Sequence, residues 1–349
     1  MTKEIKYIEK VEIKGLWNKF DIEWNLNKDV NILAGGNGSG KSTILIAIYD
    51  LLVQPKKIMF NIERIKIISN NKKEPLFFQH VIIGKEDMAK LETIELVSKI
   101  RKEKFVTNGI EHNGSEIEKM LKEVFLQEED ARFILSSMPE INDLNSFTKN
   151  IHIDFISTFN TELKSSEEIK KLSNDEVKTE LDWEIYKLQT QYKDYQLNIG
   201  KRKDAILEIS KNPKKEITKI RKPQNDFLDI LDECFAETNK KINKEKNEIS
   251  FLIDATEITA YQLSSGEKQL LIILLKTLIQ DNRQSILFLD EPEISLHIDW
   301  QRQLIGFIRQ LNPNVQIIMA THSPAMIMNG WLDKVFNVSD LIVPKSKLS

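Results

Sequence analysis

Charged and apolar residues alternate along Ile5–Ile13 and again along Phe20–Leu26, a period of two that predicts antiparallel strands. Gly15 and Asn18 fall between them, where the chain must turn. A mostly apolar run, Val30–Ala34, reads as a buried strand, and Asn61–Ser69 and Leu76–Ile83 repeat the strand pattern. From Gly84 onward the composition turns charged and helical. Within that stretch Asn108 and Gly109 predict a tight hairpin over Lys104–His112. Ser115 precedes Glu118 by the capping-box spacing, which starts a helix through Phe125. Ile151–Ile156 returns to a strand pattern, followed by Ser157, Thr158 and Phe159.

Between Asp175 and Ile209 the period changes. Leu181, Leu188 and Tyr195 interleave with Ile185, Tyr192, Ile199 and Ile206 in steps of four and three, a heptad seam that predicts a short coiled coil. Asn212, Pro213 and Pro223 bracket a turn. Phe227, Leu231, Cys234, Phe235, Thr238 and Ile242 then give a returning helix, so a helical hairpin arm is expected. Strands follow at Ile249–Ile253 and Ile258–Gln262, a helix at Leu263–Leu278, and buried strands at Ser285–Leu289 and Val315–Ala320. This order predicts an α/β fold in three parts: residues 1–83, an inserted and mostly helical 84–244, and 245–349.

Composition narrows the setting. The 349 residues are 41% hydrophobic, enough for a sizeable core, and carry a net charge of −3, so the whole chain has no electrostatic footprint for nucleic acid. A local exception exists at the arm tip. There Lys201, Arg202, Lys203, Lys211, Lys214, Lys215, Lys219, Arg221 and Lys222 face only Asp204, Glu208 and Glu216, either as a solvated surface or as a contact for nucleic acid or an acidic partner. The one cysteine, Cys234, excludes an internal disulfide and reads as a small buried hydrophobe. The amino terminus lacks a signal-peptide core, and Leu270–Ile279 is too short to span a bilayer, so a cytoplasmic protein is expected.

The chemistry begins at the end of the Val30–Ala34 strand. Gly35, Gly40, Lys41 and Ser42 fit GxxxxGK[ST] between a strand and a helix. Glycines there allow positive φ and turn backbone N–H groups toward phosphate oxygens, and the following helix adds its positive end. Lys41 is expected to reach the β- and γ-phosphates of a nucleotide, and Ser42 to ligate Mg2+. Much later, Ser264, Ser265 and Gly266 stand at a helix start, where a hydroxyl and backbone N–H groups can hold phosphate or simply cap the helix. Asp290 and Glu291 end a buried strand; the first suits magnesium and the second suits the attacking water. Thr321, His322 and Ser323 follow the next strand and bring an imidazole to the same sheet edge.

Taken in order, these pieces resemble the ABC-type ATPases. Residues Gly35–Ser42, with Asn37, Gly38 and Ser39 in the loop and Thr43 after it, match the Walker A motif. Leu263–Glu267 match the signature, Ile286–Glu293 Walker B, Ile294–His297 the D-loop, and His322 the switch histidine. The resemblance implies an ATPase in which Glu291 is the general base, Asp290 and Ser42 hold Mg2+, and His322 senses the γ-phosphate. It also implies that Ser264, Ser265, Gly266 and Glu267 close over the nucleotide of a second copy in a head-to-tail dimer. The family's Q-loop glutamine has no clear counterpart: Gln79 is one candidate, but the strand preceding the arm ends at Ser157 and Thr158 instead. Lys41 and Ser264 stand too far apart for a transporter subunit.

The inserted arm and the phrase DEPEISLH are similar to the SMC, RecF and OLD branch. Little chain follows His322, so a nuclease domain of the OLD kind is not expected here. Compact ATPase subunits of anti-phage systems look most similar, the AriA-like subunit of PARIS first and the PtuA-like subunit of Septu second. That resemblance implies control of a separate Toprim-like nuclease effector, released when a phage trigger protein is sensed. A RecF-like DNA repair ATPase that clamps DNA is the alternative.

Overall fold

The computed structural model describes residues 5–17, 19–54, 62–71, 76–84, 105–107, 110–112, 116, 132–137, 149, 151–157, 176–254 and 256–344. The expected helix from Ser115 to Phe125, the Asn108–Gly109 turn, Thr158 and Phe159 lie outside the described residues. The chain forms two compact units: 1–28 with 35–153 and 336–349, and 29–34 with 154–335.

The first unit is an antiparallel sheet with a helix. Strands β1 (Ile8–Leu16) and β2 (Phe20–Asn25) form the predicted pair, with Val11 opposite Trp24 and Ile13 opposite Ile22. β3 (Val30–Ala34) belongs to the second unit. β4 (Arg64–Ser69) pairs with β1 on its other side, and β5 (Leu76–Gly84) with β4. The sheet continues through β6 (Phe105–Thr107), β7 (Ile110–His112) and β8 (Arg132–Ser137) in the order β5-β8-β6-β7. Alternation sends Val11, Ile13, Ile22, Trp24, Ile65 and Ile67 inward, all fully buried. On the opposite face Glu12 would oppose Glu23, and Lys10 and Lys66 offset the like charges at 2.9 and 3.4 Å from Glu12. Helix α1 (Lys41–Val53) buries Ile44, Leu45, Ile48, Leu51 and Leu52 and packs on β4.

In the second unit, β3 lies parallel to β14 (Val315–Ala320), and β14 parallel to β13 (Ser285–Asp290), with β9 (His152–Ser157) beyond. β13 and β14 are buried at every position, as expected of strands covered on both faces. Helices α2 (Glu180–Ile209), α3 (Pro213–Phe235), α4 (Ser265–Ile279) and α5 (Ile298–Leu311) cover the sheet with one shared core. A small sheet, β10 (Lys240–Ile242), β11 (Ser250–Ile253) and β12 (Thr256–Thr259), joins them. Short α6 (Pro324–Met328) follows β14, and β15 (Val335–Asn337) carries the chain back to the first unit, where α7 (Val338–Leu341) precedes β16 (Ile342–Val343), paired with β2.

Three expectations are corrected. The heptad seam does not form a free-standing arm: Ile185, Leu188, Tyr192, Tyr195 and Ile199 bury into the core shared with α4 and α5. Only the hairpin end is free of that core's interior, since no residue from 200 to 226 is buried. Pro223 does not bracket the turn; it sits inside α3, whose later turns hold Phe227, Leu231 and Phe235 in the core and so carry the lost hydrogen bond. The strand expected at Ile258–Gln262 ends at Thr259, because Thr259 N–H donates to Gln262 Oε1 at 2.9 Å and closes a 3₁₀ turn over Ala260–Gln262. The apolar run around Leu270 is the buried α4, and its one charge, Lys276, pairs with Glu184 of α2 at 2.8 Å. Among the described residues no helix is long and apolar enough to cross a membrane.

Candidate functional site

The phosphate loop lies in the first unit and the acids, the signature and the histidine in the second, so the site is described as two halves. The chain leaves β3 at Ala34 and turns at once, with Ser39 N–H donating to the Gly36 carbonyl at 3.2 Å. Asn37 and Gly38 are exposed at the tip. Gly38 and Gly40 take φ of 74° and 100°, left-handed backbone that favours glycine. A Cβ on Gly40 would also stand 2.9 Å from the Trp17 ring, while nothing lies within 4 Å of a Cβ built on Gly36 or Gly38. The loop therefore closes against Trp17 on one side and faces open space on the other.

Three features of this half fit a polyphosphate. Lys41 is buried, and its ammonium donates to the Gly35 and Gly36 carbonyls at 3.1 and 3.3 Å, held at the loop rather than out in solvent. Ser39 Oγ is buried without a hydrogen-bond partner. Helix α1 starts at Gly40 with no side-chain cap and no acid in its first turn, so its positive end is not offset. Ser42 and Thr43, half-buried, occupy that first turn.

In the second half, β13 delivers Asp290, 2% exposed, at its last position, with Ala320 of β14 as its register partner. Glu291 follows with φ 50°, a strained conformation for a residue with a Cβ, fixed by its N–H donating to the Ala320 carbonyl at 2.9 Å. Its Oε1 stands 3.5 Å from His322 Nε2, so the structure brings these two predicted residues together. Among the described residues no group of three or more His, Cys, Asp or Glu could hold a metal ion. One buried carboxylate suits a magnesium ion that keeps most of its shell from phosphate oxygens and water, as Mg2+ at nucleotides does.

The signature residues open α4, and the capping role anticipated for them is present. Ser264 caps α4: its Oγ donates to Glu267 Oε2 at 2.9 Å, and its N–H donates to the same oxygen at 2.9 Å. Glu267, 3% exposed, is held from its other side by Lys240 Nζ at 2.9 Å and Thr238 Oγ1 at 3.1 Å. Burial pushes the Glu267 pKa up, but Lys240 and the Ser264 donors outweigh it, and the carboxyl sits below the ordinary range. Glu267 is thus engaged inside its own unit, where it shapes the helix start. Gly266 has a packing reason the sequence did not give: a Cβ there would lie 2.2 Å from the Ser295 carbonyl oxygen. The signature glycine therefore rests against the segment Ile294–His297, in which Ser295 itself has φ 68°.

Sequence reasoning missed Glu293, Gln301, Trp17 and Lys240. The second glutamate of the Asp290–Glu293 run was visible as a charge beside a strand end, yet its partners come from a segment far along the chain. Gln79, the Q-loop candidate, lies within β5, its backbone opposite Arg64 of β4.

A model of the AAA ATPase domain matches residues 7–327. Retron Vc95 probable ATPase of Vibrio cholerae serotype O1 biovar El Tor is 21% identical over 90% of this chain and 70% of its own length. Septu protein PtuA of Bacillus thuringiensis is 27% identical over 34% of each chain, and Retron Ec83 probable ATPase of Escherichia coli 30% identical over 26% of this chain and 18% of its own. The chain thus spans most of the first relative, about a third of the second and under a fifth of the third. Among solved structures, an SMC head bound to the C-terminal winged-helix domain of ScpA aligns at 18% identity with a TM-score of 0.46, covering 93% of this chain and 91% of that one.

Proposed function

The chain belongs to the AAA ATPase domain family, and from that premise we propose that this ATPase works as a nucleotide-driven sensor and scaffold of the anti-phage defence type, controlling a separately encoded effector. The observation that carries the reading is that the sequence holds a single phosphate loop and a single signature. One phosphate loop and one signature per chain suit a head-to-tail pair in which Ser264, Ser265 and Gly266 of one copy close over ATP held by Gly35–Thr43 of the other. ATP, when bound, would supply the γ-phosphate, and Ser42 and Asp290 are the residues that would hold Mg2+, which would offset phosphate charge. Glu291 takes a proton from the attacking water while His322, 3.5 Å away, orients that carboxylate and reads the γ-phosphate. Relatives from retron and Septu systems support the defence setting, and a Toprim-like nuclease is the proposed effector class. Co-expression with the proteins encoded beside it tests this: a neighbour should copurify, and its activity should depend on Lys41. If no neighbour copurifies and none is needed for protection against phage, the defence reading is wrong.

The hairpin tip favours a second reading, in which the chain grips nucleic acid. Lys201, Lys211, Lys214, Lys215, Lys219 and Arg221 are exposed and form no ion pair among the described residues. Lys214 and Lys215 also sit in the first turn of α3, where the helix dipole disfavours cations, so the cluster is not there for helix stability. ATP-dependent binding to duplex DNA that weakens with salt, and is lost when Lys214, Lys215 and Arg221 are neutralised, would support this reading. Binding indifferent to those three changes would remove it.

A further inference from the structure

Glu293 follows the proposed base by two positions, and nothing so far gives it a task. Its Oε1 accepts three hydrogen bonds: from Thr321 Oγ1 at 2.7 Å, from the His322 backbone N–H at 2.7 Å and from the Ser323 backbone N–H at 3.2 Å. Its Oε2 is buried without a partner. Charge-assisted bonds are the strong ones, and here one carboxylate oxygen gathers the whole backbone segment that carries the imidazole. A second side chain ties the same two segments. Gln301, in the first turn of α5, donates to the Glu293 and Leu296 carbonyls at 3.3 and 2.9 Å, and its Oε1 accepts from Ser323 Oγ at 2.6 Å.

The consequence is geometric. The segment from Glu293 to Leu296 is gripped at both ends by Gln301 and rests under Gly266 of the signature, and the segment from Thr321 to Ser323 is gripped by Glu293 and Gln301. A shift of the first segment therefore moves the backbone of His322. We propose that Glu293 and Gln301 are positioning residues that set His322 against Glu291, and that they pass the state of the signature start to the hydrolytic pair of the same chain. They act by holding the sensor where an ångström of misplacement costs about a hundredfold in rate. The proposal rests on the reading of His322 as the γ-phosphate sensor.

The test is a double-mutant cycle on ATP hydrolysis, with Kd for a fluorescent ATP analogue and melting temperature recorded for every variant. Glu293→Ala should lower kcat at least about tenfold with Kd within about twofold of wild type. Glu293→Gln keeps the accepting oxygen and should restore most of kcat. The double variant Glu293→Ala/His322→Ala should be no slower than His322→Ala alone. Gln301→Ala, a milder change, runs the same cycle should Glu293→Ala fail to fold. Effects that add in a slow His322→Ala background, or equal losses in Glu293→Gln and Glu293→Ala, would overturn the proposal while leaving His322 in place. A wild-type kcat in His322→Ala would instead overturn the sensor reading and this inference with it.

Discussion

Gly266 shows what a single atom decides at this site. Its Cα lies so near the Ser295 carbonyl that a methyl group would stand 2.2 Å from that oxygen, and a backbone carbonyl cannot swing away as a side chain can. Gly266→Ala should therefore displace the Ile294–His297 segment, cutting ATP turnover at least about tenfold while the analogue still binds the phosphate loop. Turnover and melting temperature both unchanged would mean the two segments are not in close packing. The residues of the phosphate loop were legible from sequence because their requirement is local: Gly38 and Gly40 need positive φ whatever surrounds them. The reason for Gly266 was not legible, since the carbonyl it meets arrives from a segment far along the chain. Cys234 was read correctly as a buried hydrophobe, and burial pushes its thiol up to about 12.

At the scale of elements, α2 is pinned to α4 by charges as well as by its apolar seam. Asp182 completes a capping box with Thr179 and pairs with Lys268 of α4 at 2.7 Å, both side chains largely buried. Burial alone would push the Asp182 pKa up, but Lys268, Thr179 and two backbone donors hold it below its ordinary 3.8; Glu184 and Glu267 are likewise held below 4.5. Carboxylates depressed in the folded state contribute stability fully above their unfolded values and lose it as pH falls through their folded ones. Melting temperature should thus be level above about pH 6 and fall progressively below about pH 4.5. Lys268→Met, which leaves Asp182 buried and unpaired, should cost about 3 kcal/mol at pH 7, with the gap narrowing as Asp182 protonates in acid. An equal gap at pH 7 and at the lowest pH where both still fold would show that the pair is not what joins the helices. Heptad spacing located α2 well, but it does not say which surface the seam meets, which is why a projecting coiled coil was expected and a core helix was found.

At the scale of the molecule, the order of motifs along the chain carried most of the functional reading, because each catalytic loop has its own local residue pattern at the end of a strand, whatever length of chain separates it from the next. What spacing could not supply was the wiring around those loops, namely Glu293, Gln301 and Lys240. The central claim is that one chain holds two mismatched half-sites. It is tested most directly by mixing two dead variants, Lys41→Ala, which loses the phosphate grip, and Ser264→Arg, which blocks the signature. In a mixed pair, one of the two composite sites joins an intact loop to an intact signature. Equal mixing should restore up to about a quarter of wild-type ATP turnover from two inactive preparations, since half the pairs are mixed and each has one working site. Turnover that stays at the level of the separate variants, in a mixture shown by mass to contain mixed pairs, would contradict the account.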